Sequence, residues 1–420
     1  MTSQLFTLIF LLALITSTCL HVWLARRHLQ HIAAHRSAVP PEFAERIDLP
    51  AHQKAADYNL AKTRLGLTEL AASSILLLAF TFGGLLQGSD DLCSRFFPEA
   101  GYVRSLVLFG SVALISFIID LPFGVYRTFV LEAHFGFNQM RWHLYLADLA
   151  KQGVLSVAIG GPLLLSVLWL MTVMGTYWWL YVWLVWLVFN LLMLLLYPTL
   201  IAPLFNKFVP LDNPELKMRI EALLERCGFR SSGLFVMDGS KRSAHGNAYF
   251  TGFGAAKRIV FFDTLLARLT PQEIEAVLAH ELGHFKHRHV WQRIGLLACF
   301  SLAFLWLLGN LIAQPWFYTS LGVTMPADSV QINAMALILF TLVLPLFTFP
   351  LAPLLSYLSR RHEYQADDYA ARQARATDLI SALVKLYRDN AATLTPDPLH
   401  SLYYDSHPPA SLRIAHLLTR

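Results

Sequence analysis

Residues 153–202, GVLSVAIGGPLLLSVLWLMTVMGTYWWLYVWLVWLVFNLLMLLLYPTLIA, hold no Asp, Glu, Lys or Arg and decide the fold. Gly175-Thr176 divides them into two apolar runs, 153–175 and 177–202. A helix of about 20 residues crosses a hydrocarbon core of about 30 Å, so each run is long enough to cross once. Unpaired backbone groups are costly in lipid, and the short turn therefore predicts a helical hairpin. Similar runs near 4–24, 68–87, 103–123, 293–314 and 332–357 bring the expected spans to seven. The chain is 55% hydrophobic and 15% charged over 420 residues, with a mean hydropathy of +0.48. That balance excludes a soluble globular chain. The expected fold class is mainly α: a polytopic membrane protein with seven transmembrane helices.

The first run carries no Lys or Arg before it, whereas Arg26 and Arg27 follow, the wrong polarity for a cleaved signal. Thr18 before Cys19 is too large for a lipoprotein cleavage box. The run is expected to remain as a membrane helix. Positive charge then sets the topology. Arg26, Arg27, Arg36, Arg46, Lys54, Lys62 and Arg64 fall between the first two spans, and the next connection holds Asp90, Asp91 and Glu99 against Arg95. Arg127, Arg141 and Lys151 lie in the third connection, and Arg360-Arg361 follow the last span. The positive-inside rule predicts an outer N-terminus, with the 203–292 segment and the C-terminus cytosolic. The pI near 9.0 reflects this topology. The bilayer is therefore an expected partner and nucleic acid is not. Cys19, Cys93, Cys227 and Cys299 show no paired spacing, so no disulfide framework is expected.

Four parts follow: 1–202 with five spans, 203–292 as a cytosolic segment, 293–357 with spans six and seven, and 358–420 as a cytosolic end. Residues 212–270 read as a small α/β insert. Pro214 to Arg226 has a helical pattern, and Leu234–Met237 and Arg258–Phe262 read as strands. Asn247-Ala248-Tyr249-Phe250-Thr251-Gly252-Phe253-Gly254 is also strand-like, and its edge suits a peptide added as a further strand.

The chemistry lies in His280-Glu281-Leu282-Gly283-His284. Thr270-Pro271-Gln272-Glu273 opens a helix ahead of it, and Ile274, Val277, Leu278 and Leu282 keep helical spacing. Histidines four residues apart share a helix face and can reach one zinc ion, with Glu281 directed at the water it activates. Catalytic zinc takes a third protein ligand. Glu363, in Ser359-Arg360-Arg361-His362-Glu363-Tyr364-Gln365-Ala366-Asp367, supplies it, and Asp367 one turn on can fix the tautomer of a ligating histidine. The motif helix is expected to run through Phe285–His289 into the sixth span, and the seventh span to run into Glu363. The metal then sits at or just inside the cytosolic membrane face. His28, His31 and His35 read as a solvated amphipathic segment, His287 and His289 as polar helix residues, and His245 as a cleft residue. Asp120, a charge inside the third span, is expected to face a polar interior.

The chain resembles the type I CAAX prenyl endopeptidases, integral-membrane zinc metalloproteases of the gluzincin type. The resemblance rests on Tyr126-Arg127-Thr128-Phe129-Val130-Leu131-Glu132 with Gly136-Phe137-Asn138, and on Ala202-Pro203-Leu204-Phe205-Asn206-Lys207-Phe208. It continues with Asn247-Ala248-Tyr249-Phe250, the zinc motif, Glu363 to Asp367, and Ser406-His407-Pro408-Pro409, all in family order. It implies seven helices enclosing a large water-filled chamber, one zinc per chain, and a prenylated or membrane-associated peptide as substrate. It also implies that Asn247 and His407 contact the substrate backbone and the tetrahedral intermediate, with Arg413 nearby. The implied reaction releases the last three residues after a prenylated cysteine, with Glu281 as base and His407 or Arg413 helping the oxyanion.

The sequence ends without a KDEL or dilysine signal, and its connections are compact, so a bacterial inner membrane is the expected setting. An unlipidated membrane protein is then the expected natural substrate. Two other readings are a heat-shock-type quality-control protease, which shares the motif with fewer spans, and a transporter or receptor with a structural metal. Glu281, which a structural site does not need, speaks against the last.

Overall fold

A computed structural model describes residues 1–99, 101–251 and 258–420. The membrane part opens with α1 (Ser3–His35), α2 (Leu49–Phe80), α3 (Leu85–Phe96) and α4 (Tyr102–Tyr126), the last continued by a π-helical turn, Arg127–Glu132. Then come α5 (Trp142–Leu155), joined through a second π turn to α6 (Gly161–Val173), and α7 (Trp178–Leu196), followed by the short α8 (Ala202–Phe205). The insert holds β1 (Phe208–Pro210), α9 (Pro214–Arg226), β2 (Gly233–Met237), β3 (Ala248–Thr251), β4 (Arg258–Phe262), α10 (Asp263–Leu266) and α11 (Pro271–Lys286). The chain returns to the membrane with α12 (His289–Leu311), α13 (Pro315–Thr319) and α14 (Ser329–Thr348). It ends with α15 (Ala352–Gln373), α16 (Ala376–Asp389), α17 (Pro398–Tyr404) and α18 (Ala410–Leu418).

Among the described residues, seven helical stretches are long and apolar enough to cross a membrane: Ser3–His35, Leu49–Phe80, Tyr102–Glu132, Trp142–Val173, Gly175–Phe205, His289–Leu311 and Ser329–Gln373. All seven expected runs lie in these stretches or overlap them. Gly175 takes φ 59°, the left-handed turn that lets α6 and α7 fold back as a hairpin. Inner apolar side chains such as Phe10, Phe80, Leu108, Leu168 and Leu339 pack into one core. Leu8, Ile75, Leu114, Val157 and Val188 remain exposed, as a lipid-facing surface requires. All seven stretches line a cavity of about 1250 Å³. Its lining is largely apolar, and Asp120 is on it with Ser17, His21, Ser73 and Ser116.

Three expectations are corrected. The second span starts at Leu49, behind an Asp48 side-chain cap, and stops at Phe80 rather than near 87. Gly84 at φ 71° breaks the helix there, and the apolar Leu85-Leu86 belong to α3. The motif helix does not run on into the sixth span. It ends at Lys286, and Arg288 at φ 57° turns the chain before α12. His28 is not solvated: α1 continues past the apolar run, and the His28 ring stacks on His400 with centroids 3.8 Å apart. The seventh stretch runs from α14 through a 3₁₀ turn, Phe349–Leu351, into α15, as the sequence predicts.

The insert sheet has the order β1-β2-β4-β3, with β2 and β4 parallel and the other pairs antiparallel. The strand-like stretch forms β3 at the sheet's edge, and its Gly252, Phe253 and Gly254 lie outside the described residues. Ile220 and Leu223 of α9, Ile259 and Phe261 of β4, and Leu278 and Leu282 of α11 form the core beneath the motif. The four cysteines are unpaired.

The start of α11 is tied down twice. Thr270 and Glu273 form a reciprocal capping box. The same Glu273 carboxylate accepts hydrogen bonds from Ser381 Oγ (2.7 Å) and Lys385 Nζ (2.7 Å) of α16. Burial alone would raise the pKa of Glu273, but these partners and the Thr270 N–H outweigh it and hold it below its ordinary 4.5. A depressed carboxylate stabilises the fold above its unfolded pKa, and that contribution is lost as pH falls through the folded value. Glu273→Gln should therefore cost about 1–3 kcal/mol at neutral pH. In thermal melts of the detergent-purified protein, the gap to wild type should close only below about pH 4.5. A constant gap from pH 7 to pH 3 would show that the charge on Glu273 contributes nothing.

Candidate active site

The site is made by the approach of α11 to α15. At Gly283 the two backbones come so close that an added Cβ would lie 2.8 Å from Ala366 Cα. No residue larger than glycine fits without pushing the helices apart. This contact brings Glu363, one turn before Ala366, against the two motif histidines. His280 Nε2 is 3.4 Å from Glu363 Oε2, and His284 Nε2 is 3.4 Å from Glu363 Oε1. The two Nε2 atoms are 3.3 Å apart. One donor atom from each of the three residues falls within 4.8 Å of the others. Glu363 is 2% exposed, and its Oε2 has no hydrogen-bond partner. A buried carboxylate with an oxygen that makes no hydrogen bond, beside two imidazole nitrogens, is a donor set that a divalent cation satisfies.

Around this group, Asp367 Oδ1 accepts from His280 Nδ1 at 2.8 Å. Asp367 is itself gripped by Arg413, whose Nε and Nη2 lie 2.9 and 2.5 Å from its two oxygens. Arg413 is buried, and its Nη1 is 3.9 Å from Glu363 Oε2. His407, on the loop before α18, has its Nε2 3.5 Å from the same oxygen while 60% of its side chain is exposed. The expected residues His280, Glu281, His284, Glu363, Asp367, His407 and Arg413 thus share one neighbourhood.

Asn247 is exposed just before β3, and its hydrogen bonds are made within the sheet. Its Oδ1 accepts from the Ala248 N–H and its carbonyl from the Phe262 N–H. His245 belongs to a separate polar group, 3.5 Å from Glu132 and stacked on Phe137.

His289 was expected only as a polar helix residue and is 1% exposed. Its Nδ1 lies 2.9 Å from His284 Nδ1 and its Nε2 2.9 Å from Gln365 Oε1. The five-residue step from His284 does not fit one continuous helix, and only the break at Arg288 brings the two rings together. The available signal was the dense spacing of His284, His287 and His289.

Electrostatically the two motif histidines differ. Burial would lower His280, but Asp367 and Glu363 overcome it, against Arg413, and push it up to about 9. Burial and the neighbouring His280 push His284 down to about 3. A cation binding here must displace the proton on His280. Burial also raises Glu281, chiefly by removing water from its carboxylate.

A two-histidine helix, a carboxylate from a second helix and an intervening glutamate, joined directly to a seven-span bundle, define a membrane-embedded metallopeptidase. Residues 28–207 match the family model described as CAAX prenyl protease N-terminal, five membrane helices, and residues 210–420 match peptidase family M48. The chain belongs to peptidase family M48 and carries the N-terminal membrane region of the CAAX prenyl proteases. CAAX prenyl protease 1 of Saccharomyces cerevisiae is 33% identical over 94% of this chain and 91% of the relative. A homologue from Arabidopsis thaliana is 36% identical over 86% of each. The crystal structure of S. mikatae Ste24p superposes with a TM-score of 0.91 at 32% identity, covering 98% of both chains. The protein is a metalloendopeptidase, and the transporter and receptor readings fall away.

The Gly283–Ala366 contact yields a direct test. Gly283→Ala should overpack the interface by about 1–3 kcal/mol. The variant should melt several degrees lower and retain less metal after dialysis, as measured by elemental analysis. Wild-type melting with a full metal complement would show that the contact does not set the ligand spacing.

Proposed function

We propose that the protein uses one zinc ion, held by His280, His284 and Glu363, to hydrolyse a peptide bond close to the carboxyl end of prenylated or otherwise membrane-held polypeptides. The observation that carries this is the convergence of one ligand atom each from His280, His284 and the buried Glu363, whose Oε2 makes no hydrogen bond. Two nitrogens and a carboxylate oxygen suit catalytic zinc, which leaves a position open. When bound, zinc supplies Lewis acidity that polarises a carbonyl and acidifies water.

The chain's own residues do the rest. The Glu281 carboxylate takes a proton from the attacking water and returns it to the leaving amine. Its raised pKa brings it nearer to that task. Asp367 holds the Nδ1 proton of His280, which leaves the Nε2 lone pair for the metal, and Arg413 keeps Asp367 in place. With two Arg413 nitrogens engaged in that grip, His407 is the better donor to the developing oxyanion. Asn247 orients the substrate where it adds to the β3 edge.

The substrate class is supported by the relatives' name, CAAX prenyl protease, and by the apolar chamber. Leu355 borders that chamber, and Glu363 lies about 12 Å further along α15 at about 1.5 Å per residue. We further propose the four-part division at 202, 292 and 357, with the N-terminus outside and the active site facing the cytosol.

Mass spectrometry of a farnesylated CAAX peptide incubated with the detergent-purified protein tests the reading. Wild type should release an intact tripeptide. Glu281→Gln should lose about 10²- to 10⁴-fold in rate with its metal content unchanged. Equal cleavage by both proteins would remove Glu281 from the reaction. No tripeptide from wild type carrying zinc near one per chain would sink the prenyl specificity and leave unlipidated membrane substrates.

A further inference from the structure

The two motif histidines are backed by different partners. His280 leans on the carboxylate of Asp367, itself clamped by Arg413. His284 leans on a second imidazole, that of His289, the first residue of α12. We infer that His289, held by Gln365, is a positioning residue that fixes His284 as an Nε2 ligand, and that through it the sixth membrane helix sets the metal affinity of the site. This rests on the proposed role of His284 as a ligand.

With Gln365 Oε1 toward the ring and His289 neutral, the hydrogen bonds permit one assignment of protons. The Gln365 carbonyl oxygen can only accept, so His289 Nε2 donates its proton across 2.9 Å. A neutral His289 then has a bare Nδ1, which accepts from His284 Nδ1–H at 2.9 Å. With its proton fixed at Nδ1, His284 turns the Nε2 lone pair toward His280 Nε2 and Glu363. A ligating histidine needs such an outer partner to fix its tautomer and ring angle.

The same turn of α12 also grips α15 on both sides of Glu363. The His289 ring stacks on His362, with centroids 4.0 Å apart and planes within 12°. His362 Nε2 lies 2.8 Å from Gln292 Oε1, one turn into α12. His362 precedes Glu363 and Gln365 follows two residues on, so α12 touches the residues that flank the third ligand. The left-handed Arg288 is what allows this. A continuous helix would carry residue 289 about 100° per step around the axis and away from His284.

The test is cobalt binding to the full-length, detergent-purified protein, by chelator competition and by the visible absorption of bound Co²⁺. His289→Leu should weaken Co²⁺ about 10- to 100-fold and alter the spectrum. His289→Asn, whose Oδ1 stands near the lost Nδ1, should restore binding to within a few-fold of wild type. Gln365→Leu, which removes the hydrogen bond to His289 and leaves the imidazole in place, should give a smaller loss and serves if His289→Leu does not fold. His284→Ala is the control for the underlying reading: if it keeps Co²⁺, His284 is not a ligand and the proposed site is wrong. If His284→Ala loses Co²⁺ while His289→Leu and Gln365→Leu bind as wild type does, the positioning role is overturned. Equal weakening by the Leu and Asn variants of His289 overturns it too, because packing rather than a hydrogen bond would then be responsible.

Discussion

The contact between Gly283 and Ala366 governs the rest of the active site. Imidazoles on α11 and a carboxylate on α15 can share one cation only if the two helix axes come closer than ordinary side chains permit. The missing Cβ of Gly283 gives that approach, and the small Ala366 meets it. Both helices are then locked from outside the contact. The capping box and the Lys385–Glu273 pair hold the start of α11 against α16, and the buried Arg413 of α18 holds α15 at Asp367. The proposed ligands are thus placed by four helices, each of which is also part of the insert's apolar core.

Such a site has to be reconciled with a membrane. Charged groups near a bilayer are tolerated when paired or turned to a polar space. The bundle follows that rule elsewhere, with Arg104 on Asp90 and Arg242 on Asp148 at short distances. The active-site helices are continuous or nearly continuous with spans. α15 grows out of α14 through a single 3₁₀ turn, and only two residues separate α11 from α12. The apolar chamber and the polar site are therefore two ends of one set of helices. A substrate whose one end is apolar and whose other end is a peptide matches that arrangement.

Much of this was legible in the residues. The spans announced themselves because lipid admits long uncharged helices and little else. The zinc motif did so because a period of 3.6 residues turns positions 280 and 284 to one side. Positions 363 and 367 repeat that step on a second helix. Local chemistry also marked the helix at Pro214 and the capping box at Thr270. The failures have a common cause. Leu85-Leu86 looked like more of the second span, and Phe285–His289 looked like a bridge into the sixth, because hydropathy and helical period do not register a residue that adopts positive φ. Gly84 at least advertises such a turn. Arg288 does not, since an arginine in the left-handed region is held there by its surroundings rather than by its own preference. The contact of His289 with His284 is hidden from the sequence for the same reason, and the burial of His28 because its partner His400 lies in a distant part of the chain.

Charge balance gives a separate reason to regard the site as built for a dication. Glu281, Glu363 and Asp367 bring three carboxylates into one neighbourhood, and Arg413 is the buried guanidinium that answers them. With neutral imidazoles the group carries two negative charges too many. Burying uncompensated charge costs several kcal/mol per ion, so the fold must find positive charge from somewhere. A proton can supply part of it, and Asp367 and Glu363 accordingly push His280 up to about 9 against its burial, whereas Glu281 is raised mainly by burial. The His280 shift is that imbalance expressed in a single group. A divalent cation removes it without protonating either residue, leaving His280 as a neutral ligand and Glu281 as a carboxylate able to accept a proton. The electrostatics that make the pocket costly to assemble are those that would favour a dication and, in the proposed mechanism, free Glu281 to act as a base.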